Sequence, residues 1–98
     1  MIEHNEPLFV ISIAAQILEV HPQTLRYYER AGLVQPSRTR GNIRMYSQHD
    51  IDRLRLIQRL MDDLGVNLAG VEVIINMTQR IADLEAEVVR LKKMAGEG

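Results

Sequence analysis

The chain has 98 residues, 46% hydrophobic and 26% charged, with a formal net charge of −1. That is the length and balance of one soluble domain, too short for a second domain with its own ligand pocket. It contains no cysteine, which excludes disulfides, thiolate metal sites and cysteine nucleophiles. No apolar run approaches the ~20 residues of a membrane span, and no basic-then-apolar leader is visible, so a cytoplasmic protein is expected.

Residues 1–8 read as a flexible lead-in, because Pro7 obstructs a regular start. Ser12 is the expected cap of a short first helix with Ile13, Ala14, Ile17 and Leu18 on one face, ending near Val20. Pro22 fits the first position of a second helix, which runs through Tyr27 and Tyr28 to Ala31 and stops at Gly32. Two short helices separated by about three residues have helix-turn-helix spacing.

After Gly32 the period changes. Ser37 to Asn42 is turn-rich, and Ile43 to Tyr46 alternates, which predicts a small hairpin with Gly41-Asn42 near its tip. Ser47 and Asp50 form a capping box ahead of a helix with Ile51, Leu54, Ile57, Met61 and Leu64 on one stripe, broadened by Leu60 and ended by Gly65. Asn67 caps a further helix carrying Leu68, Val71, Ile74 and Ile75. Gly70 inside it costs about 1 kcal/mol relative to Ala.

From about Thr78 to Ala95 the chain repeats by heptads. Met77, Ile81, Leu84, Val88, Leu91 and Ala95 follow at intervals of 4, 3, 4, 3 and 4 residues, the seam of a coiled coil. Because the other helices already supply a core, pairing with a second copy is the expected fate of this stripe. The division is a helix-turn-helix domain over residues 1–76 and a coiled-coil dimerisation helix over 77–95, with Met77, Ile81, Leu84, Val88 and Leu91 at the dimer contact.

The near-neutral charge hides an asymmetry. Residues 1–20 and 61–98 each carry a net −3, whereas residues 21–60 carry eight Arg against Glu29, Asp50 and Asp52. Arginine is the side chain best suited to phosphates and base edges. The second helix places Gln23, Arg26, Tyr27 and Arg30 at i, i+3, i+4 and i+7, one polar and basic face, while Leu25 and Tyr28 turn toward the first helix. Glutamine suits adenine, and arginine suits guanine or phosphate. The hairpin adds Arg38, Arg40 and Arg44, with Tyr46 as a phosphate donor. His4, His21 and His49 form no pair at metal-ligand spacing, Asp62 and Asp63 point apart on a helix, and no glycine-rich phosphate loop follows a strand. No metal or cofactor is expected, and an enzyme is set aside.

These residues resemble a known family. Thr24-Leu25-Arg26-Tyr27-Tyr28-Glu29-Arg30, Gly32-Leu33, Pro36, Arg38-Thr39, Asn42, Arg44, Tyr46-Ser47, Asp50 and Gly65-Val66-Asn67-Leu68 look like the N-terminal domain of MerR-family transcription regulators, over nearly the whole chain. His21-Pro22-Gln23-Thr24-Leu25-Arg26 and Gly65 to Val71 are most similar to the HspR-type heat-shock repressor subgroup.

The resemblance implies a mainly α, winged helix-turn-helix fold with a small β-hairpin wing and an antiparallel coiled-coil homodimer. It also implies binding to inverted repeats at promoters, in this subgroup those of chaperone genes, with a DnaK-type chaperone as partner. The DNA-binding set expected is His21, Gln23, Thr24, Arg26, Tyr27, Arg30, Arg38, Arg40, Arg44 and Tyr46. His21 departs from the serine usual at this cap. A repressor is the leading reading; promoter distortion by an activator and an architectural or excisionase-like factor are the alternatives.

Overall fold

The computed structural model describes residues 7–96. They form β1 (Leu8–Val10), α1 (Ile11–Leu18), α2 (Pro22–Arg30), β2 (Ser37–Arg38), β3 (Arg44–Ser47), α3 (Gln48–Gln58), a π-helical turn (Arg59–Asp63) and α4 (Leu68–Met94). The chain divides between Gly65 and Val66 into two compact units.

In the first unit the expected two-stranded hairpin is the larger part of a three-stranded antiparallel sheet, in the order β1-β3-β2. β3 pairs on one side with β1 (Leu8↔Ser47, Phe9↔Tyr46, Val10↔Met45) and on the other with β2 (Ser37↔Met45, Arg38↔Arg44). Leu8 therefore belongs to a strand and not to a lead-in, whose residues 1–6 lie outside the described residues. Three residues are too few for a period to register in the sequence, and Pro7 just ahead of the strand takes no ladder bond away. The same strand corrects the cap of α1. The chain passes from Val10, extended and without a side-chain cap bond, directly into the helix, so Ser12 lies inside it.

α1 is the hub, in contact with α2, α3, β1 and β3. Ala14 and Ala15 are buried at its centre, where short side chains let neighbouring backbones come close. Leu18, Leu25, Tyr28, Leu33, Val34, Tyr46, Ile51, Leu54, Ile57 and Leu60 complete the buried apolar set of this unit. The Gln58 side-chain amide donates to the Leu18 carbonyl at 2.7 Å, tying the end of α1 to α3. α2 stops where Gly32 adopts φ +78°, a conformation that glycine enters without a Cβ penalty.

The capping box forms as read. The Asp50 N–H donates to Ser47 Oγ at 3.1 Å, and the Ser47 N–H donates to Asp50 Oδ2 at 2.9 Å. Past Gln58 the helix widens into the π-helical turn. The extra residue in that turn shifts the apolar register: Leu60 stays buried, while Leu64, expected on the core stripe, is 68% exposed.

In the second unit the two helical stretches read separately from the sequence are one helix, α4. Asn67 caps it, its Oδ1 accepting from the Gly70 N–H at 2.8 Å. A Cβ on Gly70 would come within 2.7 Å of Val66 Cγ1 and 3.3 Å of the capping oxygen, which accounts for glycine inside a helix. Val71 and Ile75 are buried, and every described residue from Asn76 on is exposed.

Replacing Ser47 by Ala removes one arm of the capping box. It is expected to lower stability by about 1 kcal/mol, measured by urea unfolding at fixed protein concentration.

Candidate nucleic-acid interface

α2 divides as its sequence implies. Leu25 and Tyr28 are buried at 1% and 8% exposure, while Gln23, Tyr27 and Arg30 are exposed and Arg26 is half-buried. Tyr28 is thus a core residue; its hydroxyl donates to Met61 Sδ at 3.8 Å. Burial pushes that hydroxyl's pKa up, with smaller contributions from Asp62 and Tyr27. The Tyr27 ring tilts against the Tyr28 ring at a centroid distance of 5.8 Å, which supports an exposed aromatic from beneath.

The start of α2 is capped by an imidazole. His21 Nδ1 accepts from the Gln23 N–H at 3.0 Å, and Pro22 occupies the first turn. An accepting Nδ1 requires the neutral ring with its hydrogen on Nε2, so Nε2–H remains a donor at the helix start. Thr24 is half-buried, its N–H donating to the His21 carbonyl at 2.9 Å. One turn on, Arg26 Nη1 donates to Gln23 Oε1 at 2.8 Å. These two side chains act as one hydrogen-bonding group, with the Gln23 amide hydrogens and the rest of the guanidinium left over.

The wing is β2, β3 and the turn between them. Asn42 takes φ +65°; its N–H donates to the Thr39 carbonyl at 2.9 Å, and the Thr39 N–H donates to the Ile43 carbonyl at 3.0 Å. Arg40 is exposed at the tip. Among the described residues, neither the Arg30 nor the Arg40 side chain has a hydrogen bond or ion pair, and both guanidiniums are exposed.

Arg38 and Arg44 are placed differently. Both meet Glu29 of α2: Arg44 Nε lies 2.5 Å from Glu29 Oε1, and Arg38 Nη2 lies 3.1 Å from Glu29 Oε2. Burial works to raise the Glu29 carboxyl, but Arg44 and then Arg38 outweigh it and hold the group below its ordinary 4.5. Sequence reasoning passed over Glu29, although a signal was present: it is the one carboxylate on α2, in a block dominated by arginine.

Tyr46 is corrected. Its side chain is fully buried and its hydroxyl has no hydrogen-bond partner among the described residues, so it is a core residue that no phosphate reaches. Burial raises the hydroxyl's pKa, Glu29 and Asp50 add to the rise, and Arg44 and Arg26 oppose it.

On α4, Met77, Ile81, Leu84, Val88 and Leu91 are each between 49% and 60% exposed. Val73, Asn76, Met77, Arg80 and Ile81 line one shallow apolar groove, and Ile81, Leu84, Glu85, Val88 and Val89 a second. Among the described residues, no group of three or more His, Cys, Asp or Glu could hold a metal ion, and no helix is long and apolar enough to cross a membrane.

The chain is similar to several known proteins. The sequence profile of the MerR HTH family regulatory proteins matches residues 9–78. The chain is 49% identical over 87 residues to the heat shock protein HspR of Streptomyces coelicolor, covering 89% of this chain and 58% of that protein. It is 36% identical over 93 residues to the transcriptional regulator GlnR of Bacillus anthracis, covering 95% and 68%. The mercuric resistance operon regulatory protein of Bacillus cereus is 41% identical over 73 residues, covering 74% and 54%. The chain thus spans between about half and two thirds of these relatives' lengths.

Two solved structures share the fold. One is HiNmlR, a MerR family regulator lacking the sensor domain and bound to promoter DNA (TM-score 0.68, 22% identity, covering 93% of this chain and 75% of that one). The other is a MerR family transcriptional regulator from Bacillus cereus (TM-score 0.62, 24% identity, covering 93% and 84%).

The Glu29 shift fixes the sign of a pH effect. A carboxyl whose pKa is lowered by folding contributes fully above its unfolded value, and the contribution is lost as pH falls through the folded value. An NMR titration of the Glu29 carboxyl carbon is expected to show a midpoint below 4.5, and a midpoint at or above that value contradicts the pairing.

Proposed function

The chain belongs to the MerR family of helix-turn-helix regulatory proteins, and we propose that it is a sequence-specific DNA-binding transcriptional regulator that represses as a homodimer on inverted-repeat promoter sites. The observation that carries this reading is the split of α2. One face, Leu25 and Tyr28, is buried, and the other presents Gln23, Arg26, Tyr27 and Arg30 beside an arginine-rich wing. An α-helix with one polar face and flanking cations fits the major groove, where bidentate Arg–guanine and Gln–adenine pairs discriminate bases.

In this reading Gln23 and Arg26 read base edges as a hydrogen-bonded pair. Arg30, Arg40 and Arg44 meet phosphates, Tyr27 packs against the backbone, and His21 offers Nε2–H at the helix start. Thr24 contributes through the first turn of α2 that its N–H helps to close. The division assigns residues 1–76 to DNA and residues 77–95 to pairing. Met77, Ile81, Leu84, Val88 and Leu91 form the seam, so that two-fold symmetry in the protein meets two-fold symmetry in the operator. Heat-shock or chaperone promoters as targets are supported by the 49% identity to HspR. A DnaK-type chaperone partner rests on the subgroup resemblance alone. Activation by promoter distortion has no observation in its favour here.

Selection of bound duplexes from random DNA at fixed salt tests the reading, and enrichment of an inverted repeat is expected. On that duplex Arg26→Ala costs about 1–3 kcal/mol and relaxes base preference. Arg44→Ala weakens all duplexes alike and reduces the salt slope by about one unit. Equal losses on selected and random duplexes from Arg26→Ala would remove it from base reading. For the seam, Leu84→Asp puts a charge where two apolar stripes meet, and sedimentation at micromolar concentration is expected to give dimers for the unmodified chain and monomers for the variant.

A further inference from the structure

Arg38 and Arg44 are directly opposite one another across the β2–β3 ladder. Like charges in that position destabilise a strand pair, so the wing hairpin is built on a repulsion that something must neutralise. Within the wing itself, from Ser37 to Ser47, there is no acidic residue. The neutralising charge comes from α2. Glu29 reaches both guanidiniums, Arg44 through Oε1 and Arg38 through Oε2.

The contacts continue to the tip. Arg38 Nη1 lies 3.2 Å from the Asn42 carbonyl oxygen and 3.4 Å from Asn42 Oδ1, and Asn42 is the left-handed residue on which the turn closes. One unbroken set of polar contacts therefore runs from the polar helix to the turn of the wing. The two arginines are used unequally. Arg38 spends Nη2 on Glu29 and Nη1 on Asn42, whereas Arg44 meets Glu29 through Nε only, which leaves Nη1 and Nη2 for a phosphate.

We propose that Glu29 is a positioning residue that fixes the wing to the recognition helix, holding Arg38 as a brace inside the wing and aiming Arg44 at the DNA backbone. The proposal rests on the DNA-binding reading above and goes beyond it in one respect: it makes a carboxylate on the DNA face a source of specificity. Long-range electrostatics alone gives the opposite expectation, because removing a negative charge from a DNA-binding surface strengthens attraction to every duplex.

The test compares Glu29→Gln with the unmodified chain on two probes, a duplex selected from random DNA by the unmodified chain and a scrambled duplex of the same composition. In Glu29→Gln, Arg44 keeps its charge and still finds phosphates on any duplex, so affinity for the scrambled duplex holds or rises, whereas affinity for the selected duplex, where α2 and the wing must engage in one register, is expected to fall roughly tenfold. Equal tightening on both duplexes overturns the proposal.

Arg38→Met removes the brace without touching α2. It is expected to lower the same affinity ratio, and a variant that keeps the ratio also overturns the proposal. A readout independent of DNA separates this idea from the reading beneath it. Amide exchange at Thr39 and Asn42 is expected to speed up about tenfold in Glu29→Gln, with circular dichroism confirming the helices. If the unmodified chain selects no sequence, the DNA reading fails by itself. Unchanged exchange at the two wing amides overturns the positioning role in either case.

Discussion

α2 must serve two environments with nine residues, and the remainder of its unit is organised around that constraint. Leu25 and Tyr28 supply its buried anchor, so the helix on which they lie must be brought close to a partner. Ala14 and Ala15 on α1 make that approach possible, since a larger side chain at either position would force the helices apart in a core packed at crystal-like density. α1 in turn rests on α3 and on the sheet. The other face of α2 is then left to hydrogen-bonding side chains.

The arginines near that face divide by what already holds them. Arg30 and Arg40 are unpartnered among the described residues, Arg26 is joined to Gln23, and Arg38 and Arg44 share Glu29. Ion pairs of this exposure, with the arginine side chains 35% and 26% accessible and Glu29 22%, contribute only about 0–1 kcal/mol each to stability. Their value is geometric. A surface hydrogen-bonded pair that adds little to folding can still decide where a guanidinium points, and base discrimination depends on placement to within a fraction of an ångström.

What the sequence made legible is the chemistry that acts over a few residues. The Ser47–Asp50 box, Pro22 at the start of α2, Gly32 at its end, the Asn67 cap and the Gly41-Asn42 turn depend on local hydrogen bonds and φ values, and each stands where its residues put it. Most of the losses depend on a partner far along the chain. β1 exists only because β3 offers an open edge 35 or more residues away. The π-helical turn at Arg59–Asp63 shifts the apolar stripe by one residue and turns Leu64 outward. Tyr46 looks like a surface donor on an alternating strand, yet that alternation aims its ring inward. Glu29 is visible in the sequence as a lone acid; that it spans two opposed strands depends on the register of a hairpin that only the folded sheet defines.

The exposed stripe of α4 bears on how much one copy can do. From Met77 to Leu91, about 20 Å of helix at 1.5 Å per residue, five large apolar side chains remain about half accessible. Contiguous apolar surface of that extent is uncommon on a monomer and marks an interaction site. The demand for a partner also arises independently in the first unit. A single α2 offers about four polar side chains to a groove, enough for a few base pairs, whereas a genome presents millions of competing sites. In the proposed homodimer, two copies joined through the seam double the number of bases read. The short reading face of α2 and the unsatisfied stripe of α4 are therefore two expressions of one requirement. In the proposed homodimer, specificity is assembled from two copies of α2.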